Sequence, residues 1–217
     1  MSISDNIKKI KSEIPSQVKL VVVTKTHPVE KILEVYNSGH KIFGENRVQE
    51  LVSKHEQLPK DVEWHLIGHL QTNKVKMIAP FISLIHSVDS FKLLKEIKKC
   101  AEKENRVINC LLQIYIAKEE TKFGLSFEEA EDILLSEELK QMKNIHITGL
   151  MGMATLTDNK DQIRNEFKSL NEFFLKFQNS NIRLQTLSMG MSSDYKIAIE
   201  EGSNLIRVGS LIFGERH

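Results

Sequence analysis

The amino-acid sequence predicts a (β/α)8 barrel, and three observations carry that prediction. Short runs rich in β-branched residues alternate with amphipathic segments eight times along the 217 residues, the pattern of parallel strands joined by crossover helices. The connections are short, so eight such units fit a chain somewhat under the ~250 residues typical of the fold. The unusual stretches TK, GEN, IGH, HSVDS, GLMGMA, SMGMSSD and RVGS all fall at or just past the C-terminal ends of predicted strands, whereas LPKDVE and KENRV, which lead into strands, are ordinary charged loops. Barrels concentrate their chemistry at that one end. A doubly wound open sheet is the rival fold, but no Gly-x-Gly-x-x-Gly follows the first strand.

At the start, Ile3, Ile7, Ile10 and Ile14 form a narrow apolar stripe, predicting a helix over 3 to 14 that packs on the body. It lacks the aromatic anchor of a membrane-surface helix, and its polar face is mixed in sign. The first strand lies in LVVVTKTHP (20 to 28) and runs up to Lys25. Pro28 suits the first turn of a helix over 28 to 38, and Gly39 stops it. Strands follow at 40 to 43, 63 to 67, 81 to 86, 107 to 115, 144 to 151, 183 to 188 and 204 to 208. The helices between them are predicted at 47 to 57, 71 to 78, 91 to 104, 126 to 139, 161 to 177 and 193 to 201, with a short turn after Phe213. The Phe167, Leu170, Phe174, Phe177 stripe marks a core face and not a stacking platform for bases.

Prolines are scattered at 15, 28, 59 and 80, and no linker or repeat interrupts the chain, so one domain over residues 1 to 217 with an N-terminal helix is expected. Lys and Arg total 30 against 29 Asp and Glu, and no excess of positive charge recommends nucleic acid or an anionic membrane as a partner. Cys100 and Cys110 fit no metal or redox spacing and are expected as buried thiols. The N-terminus lacks the apolar core of a signal peptide and no apolar run nears the ~20 residues of a membrane span, so a cytoplasmic protein is expected.

Lys25 has two readings. If the strand buries it, desolvation lowers its pKa and makes it an amine nucleophile for a carbonyl. On the stretch alone, the plainer reading of a lysine opening a solvated loop comes first. SMGMSS (188 to 193) and RVGS (207 to 210) offer glycines, hydroxyls and N–H groups after the seventh and eighth strands. Each alone reads as a turn with a serine N-cap, but together they suit a phosphate monoester. Period two puts Arg207 on the face of Leu205 and Gly209, where it either pairs with an acid such as Glu45 or Asp194 or meets a ligand. His65 and His69 straddle a strand end with no glutamate between them, so no zinc site is predicted, and His86 reads as a hydrogen-bonded structural histidine.

Taken together, VVVTKTHPVEKI, FGENRVQE, WHLIGHLQTNK, HSVDS, GLMGMA, LSMGMSSDYKIAIEEGS and RVGSLIFGER span nearly the whole chain. They resemble the pyridoxal phosphate homeostasis protein family, whose members look like the barrel of alanine racemase standing alone. The resemblance implies pyridoxal 5′-phosphate (PLP) as cofactor, held as an imine on Lys25. It implies phosphate contacts from Ser192, Gly209 and Ser210, Arg207 facing the pyridine nitrogen, and Asn46 near the ring or the lysine. An arginine there disfavours protonation of the ring nitrogen and weakens the ring as an electron sink.

The implied role is storage, delivery or buffering of PLP for PLP-dependent apoenzymes, with no catalytic residue assigned. A racemase of this kind would continue into a second domain that supplies a catalytic tyrosine. Without one a second base is missing, and a monomer is expected. The competing readings are an amino-acid racemase using Lys25 with Tyr115 or His69, and a sugar-phosphate enzyme using Lys25 as a Schiff base. Three stretches depart from the family pattern: QIY (113 to 115), GLMGMAT without a following proline, and serine in RVGS. The segment before Lys25 is also short, which is expected to trim the first helix, and Tyr115 is expected to crowd the cofactor's face or serve as an acid.

Overall fold

The computed structural model describes residues 2–117, 123–178, 180 and 182–214. Eight parallel strands close in chain order: β1 (Lys19–Val23), β2 (Ile42–Glu45), β3 (Glu63–Leu66), β4 (Leu84–Val88), β5 (Ile108–Ile114), β6 (Ile145–Gly152), β7 (Thr186–Ser188) and β8 (Leu205–Val208). β8 pairs back onto β1 with Val21 opposite Arg207, so the sheet has no edge. Around it run α1 (Ile3–Glu13), α2 (Val29–Asn37), α3 (Val48–Gln57), α4 (Val75–Ile78), α5 (Phe91–Lys103), α6 (Phe127–Leu135), α7 (Glu137–Lys140), α8 (Lys160–Gln178), α9 (Tyr195–Glu200) and α10 (Ser210–Phe213). This is the barrel that the alternating pattern predicts.

Local chemistry starts and ties down the helices. Ser2 accepts from the Asp5 N–H and Asp5 answers in a capping box, while Asn6 Nδ2 donates to the Ile212 carbonyl at 3.0 Å and fastens α1 to α10. Ile7 and Ile10 of the predicted stripe are buried beneath that contact. Ser90 caps α5, which turns Leu93, Leu94, Ile97, Cys100 and Ala101 inward. The main core lies between sheet and helices and includes the fully buried Trp64, Phe43 and Phe167, each worth roughly 1.5–3 kcal/mol of burial. A smaller cluster of Val21, Leu84, Leu111, Met151 and Leu205 fills the barrel interior. Both cysteines are buried free thiols.

Several boundaries differ from the sequence pattern. The N–H groups of Phe81 and Ile82 both bond to the Ile78 carbonyl, finishing α4, so β4 begins at Leu84 and takes in His86. Segment 71 to 78 is split between a 3-10 turn at Thr72–Lys74 and α4. Ser136 caps α7 through the Leu139 N–H and breaks the helix expected over 126 to 139. Arg183 has a φ of 53°, which delays β7 to Thr186. β2 runs two residues later than expected and makes Gly44 and Glu45 part of the strand.

Candidate functional site

The C-terminal mouth is organised around the turn that carries Lys25. The His27 N–H donates to the Thr24 carbonyl at 3.0 Å, with Lys25 and Thr26 at the centre of the turn. Thr26 has a φ of 67°, a left-handed conformation that costs a β-branched residue of order 1–3 kcal/mol. What offsets it is a charged clamp from the next two elements. Lys54 of α3 donates to the Thr24 carbonyl (2.7 Å), Glu45 Oε1 (2.6 Å) and Glu50 Oε1 (2.7 Å). Thr24 Oγ1 donates to Glu45 Oε1 at 2.5 Å, and the Thr26 N–H donates to Glu50 Oε1 at 2.5 Å.

Glu45 is fully buried, and desolvation raises its pKa against the pull of the Lys54 and Thr24 hydrogen bonds. Its other oxygen, Oε2, is buried without a partner. Glu45 therefore belongs to Lys54, and of the alternatives open for Arg207 the pair with Glu45 is the one removed. Lys54 shares the inward face of α3 with Val48 and Leu51, and a lysine on an apolar stripe is the one signal of it that the sequence displays.

The six residues expected at the site, Lys25, Asn46, Ser192, Arg207, Gly209 and Ser210, all line one cavity of about 610 Å³, with Val23, Ile67, Met153 and Met191 as apolar wall. Lys25 is half-buried there, neither sunk in the core nor out in solvent. Asn46 rests on Gly68, where a Cβ would lie 2.4 Å from the Asn46 carbonyl oxygen, so the glycine of IGH permits a close approach. The Met191 N–H donates to Asp194 Oδ1 at 2.5 Å and folds a turn that presents Ser192, whose hydroxyl accepts from the Gly209 N–H at 3.3 Å. A Cβ at Gly209 would meet the Val23 carbonyl oxygen at 3.1 Å.

Arg207 is 4 % exposed and points into the barrel, on the face of Leu205 and Gly209 as period two predicts. It donates to the Ser188 carbonyl (2.9 Å), Ser188 Oγ (2.5 Å) and the Gly152 carbonyl (3.1 Å). Burial brings its pKa down to about 10, with Asp194 opposing, so it stays charged at neutral pH. Below it, His86 Nδ1 lies 3.0 Å from Ser188 Oγ, and His86 Nε2 lies 3.0 Å from His65 Nδ1. Burial lowers the pKa of both imidazoles, His65 to about 3 and His86 well below its ordinary value.

His69 is separate from this column. It bonds Asp89 at 3.0 Å and stacks on Phe123. Tyr115 is not among the described residues that line the cavity, and its backbone N–H donates to the Leu125 carbonyl just past β5. Tyr36 bonds Asp61 and Tyr195 bonds Glu13.

The whole chain, residues 1–217, matches the family described as alanine racemase, N-terminal domain. The closed barrel with its ligand-sized cavity at the C-terminal mouth is thus a barrel of the alanine racemase type. A pyridoxal phosphate homeostasis protein of Aquifex aeolicus is 44% identical over 200 residues, covering 91% of this chain and 87% of its own length. PipY of Synechococcus elongatus PCC7942, solved with PLP bound, matches at a TM-score of 0.89 and 35% identity over 98% of this chain and 100% of its own. Alanine racemase of Clostridium difficile 630 matches at a TM-score of 0.81 over 99% of this chain and 57% of its own, but at 14% identity that likeness is one of fold alone. The chain belongs to the pyridoxal phosphate homeostasis protein family.

Proposed function

We propose that this chain binds PLP at the C-terminal mouth of the barrel, through Lys25, and holds the cofactor for release instead of using it for turnover. The observation that supports this best is the convergence of Lys25, Ser192, Arg207, Gly209 and Ser210 on one cavity of about 610 Å³, within the ~300–1,000 Å³ of small-molecule sites. The residues fit the group: an amine, a hydroxyl-rich cradle that a glycine keeps open, and a fixed cation. When bound, the cofactor supplies an aldehyde and an electron-withdrawing ring.

Lys25 would supply the amine that tethers the cofactor at its aldehyde. Its backbone is held by the Lys54, Glu45 and Glu50 clamp, so the amine is offered from a constrained turn. Ser192 and Ser210 hydroxyls with the nearby N–H groups hold phosphate, and Asn46 orients the ring or the lysine. Arg207 keeps its protons at neutral pH, so it donates to a ring nitrogen and disfavours protonation there. A ring held unprotonated is a weak electron sink, which suits a carrier. The PLP-bound relative supports the cofactor assignment. The reading extends to a monomeric, cytoplasmic protein that serves PLP-dependent apoenzymes, with residues 1–217 acting as one binding unit. No helix among the described residues is long and apolar enough to cross a membrane.

Borohydride treatment of the PLP-loaded protein, followed by intact mass and peptide mapping, tests the assignment. The adduct is expected on the peptide containing Lys25, and the visible band is expected to vanish in Lys25→Ala. A Lys25→Ala protein that keeps both band and adduct would overturn it.

A further inference from the structure

His65 and His86 have no part in the cofactor reading, yet they stand in a hydrogen-bonded column that runs from Arg207 down through the barrel. The direction of every proton in it follows from the top. A guanidinium only donates, so Ser188 Oγ accepts from Arg207 Nη1. The serine's own proton then goes to His86 Nδ1, which makes Nδ1 the bare nitrogen and Nε2 the protonated one. His86 Nε2–H in turn donates to His65 Nδ1, leaving the His65 proton on Nε2. His65 lines a second cavity of about 390 Å³ at the opposite mouth, together with Lys19 and Glu63. The reverse polarity would leave the buried Ser188 hydroxyl proton without an acceptor among its recorded bonds.

We propose that Ser188, His86 and His65 are positioning residues for Arg207, forming a neutral, one-way column that locks the guanidinium and dictates which of its N–H groups face the cofactor cavity. Both Nη1 hydrogens are engaged by Ser188 and one Nη2 hydrogen by Gly152, three of the five donors that an arginine carries, which leaves Nε–H and one Nη2–H. A second cation in the column would sit against the guanidinium. Burial, with Arg207 above and Lys19 below, keeps both imidazoles uncharged, so the column holds Arg207 without neutralising it.

The consequence for the cofactor rests on the reading that Arg207 faces the ring nitrogen, whereas the proton pattern does not. Nitrogen-15 NMR of the histidine-labelled apo protein is expected to show His65 and His86 protonated on Nε2, bare on Nδ1 and unchanged from about pH 6 to 8. Ser188→Ala should move only the His86 Nδ1 resonance, toward that of an unbonded pyridine-type nitrogen. An Nδ1-protonated tautomer at either histidine, or titration in that range, overturns the column.

In the PLP arm, His86→Leu removes the acceptor for Ser188, whereas His86→Asn sets an amide oxygen near the former Nδ1. The leucine variant is expected to hold PLP about tenfold more weakly and to shift the visible band, the size of one lost charge-assisted contact. The asparagine variant should recover most of both. Should His86→Leu not fold, Ser188→Ala serves as the binding variant. Wild-type binding and spectra in all these variants would overturn the positioning role. A wild-type protein that takes up no PLP would instead sink the cofactor reading, with the NMR still deciding the column.

Discussion

Replacing Lys54 by methionine tests the clamp behind Lys25 in a way that separates it from ordinary core damage. Lys54 is 5 % exposed and serves three oxygens, and its removal leaves Glu45 buried with no cationic partner. Breaking a buried pair from one side costs about 3–5 kcal/mol, while the Glu50 arm, whose side chain is 25% exposed, adds under about 1 kcal/mol. For 217 residues at about 2.1 cal/mol/K each, the unfolding entropy is about 0.46 kcal/mol/K. Lys54→Met is therefore expected to lower the apo-protein Tm by about 7–13 °C at pH 7 in a circular dichroism melt.

The deficit should depend on pH in a definite direction. Desolvation already raises the Glu45 pKa, and losing Lys54 raises it further. A carboxyl whose folded pKa exceeds its unfolded value gives its full contribution below the unfolded pKa and loses it as pH rises through the folded one. The variant should thus close part of the gap to wild type on acidification. Glu45→Leu/Lys54→Met should recover at least half of the loss, since both charges leave together. A single-variant shift under about 3 °C, or a double variant no more stable than the single, would refute the reasoning.

The remaining predictions concern acid and glycine. His40, His65 and His86 are buried, with pKa values lowered by desolvation to about 4, to about 3 and well below the ordinary value. From about pH 6.5 downward the unfolded chain takes up protons that these three refuse, so stability should fall on acidification by about 1.4 kcal/mol per pH unit for each, with Glu45 offsetting part of one share. Urea midpoints measured from pH 7 to 5 should show that slope in wild type and a shallower one in His40→Phe, and equal slopes would count against it. Gly68→Ala places a Cβ 2.4 Å from the Asn46 carbonyl oxygen, so it should cost about 1–3 kcal/mol and loosen PLP binding through displaced Asn46. Fluorescence titration with PLP checks the second effect. Gly149→Ala would put a Cβ 1.8 Å from the Thr186 carbonyl oxygen across β6 and β7, and soluble, cooperatively melting protein should not be recovered.

Much of the barrel was legible because parallel strands buried on both faces write themselves as β-branched runs, and the residues that crowd their C-terminal ends are those the cavity uses. Position at the strand ends marks Lys25, Arg207 and the two glycine–serine stretches, and the family resemblance implies their roles. Partner choice was not legible. Glu45 lies at the end of β2 and Lys54 two turns into α3, and only the radial packing of helix on sheet puts one behind the other. In the sequence Arg207 reads as paired with an acid or facing a ligand, whereas oxygens of Ser188 and Gly152, from two different strands, take three of its hydrogen bonds. His86 was rightly read as a bonded structural histidine, but its bonding to Ser188, 102 residues away, depends on closure of the barrel. Element ends moved where backbone bonds to the Ile78 carbonyl and the side-chain cap of Ser136 overrode the apolar pattern.

Among the described residues Lys54 and Arg207 are buried cations treated in opposite ways, and the contrast bears on function. Lys54 is surrounded by acids, so its charge is used up in holding a turn. Arg207 is gripped by a hydroxyl and carbonyls, with Asp194 acting only at longer range, so its hydrogen-bonding needs are met while its charge is not cancelled at contact distance. Neutral histidines beneath it keep that arrangement from becoming a relay of charge. A carboxylate in the place of Ser188 would hold the guanidinium as firmly but would neutralise the cation that faces the cavity. An anionic ligand with an aromatic nitrogen gains most from the arrangement present, because the cation is fixed in place before the ligand arrives and needs no reorganisation to meet it.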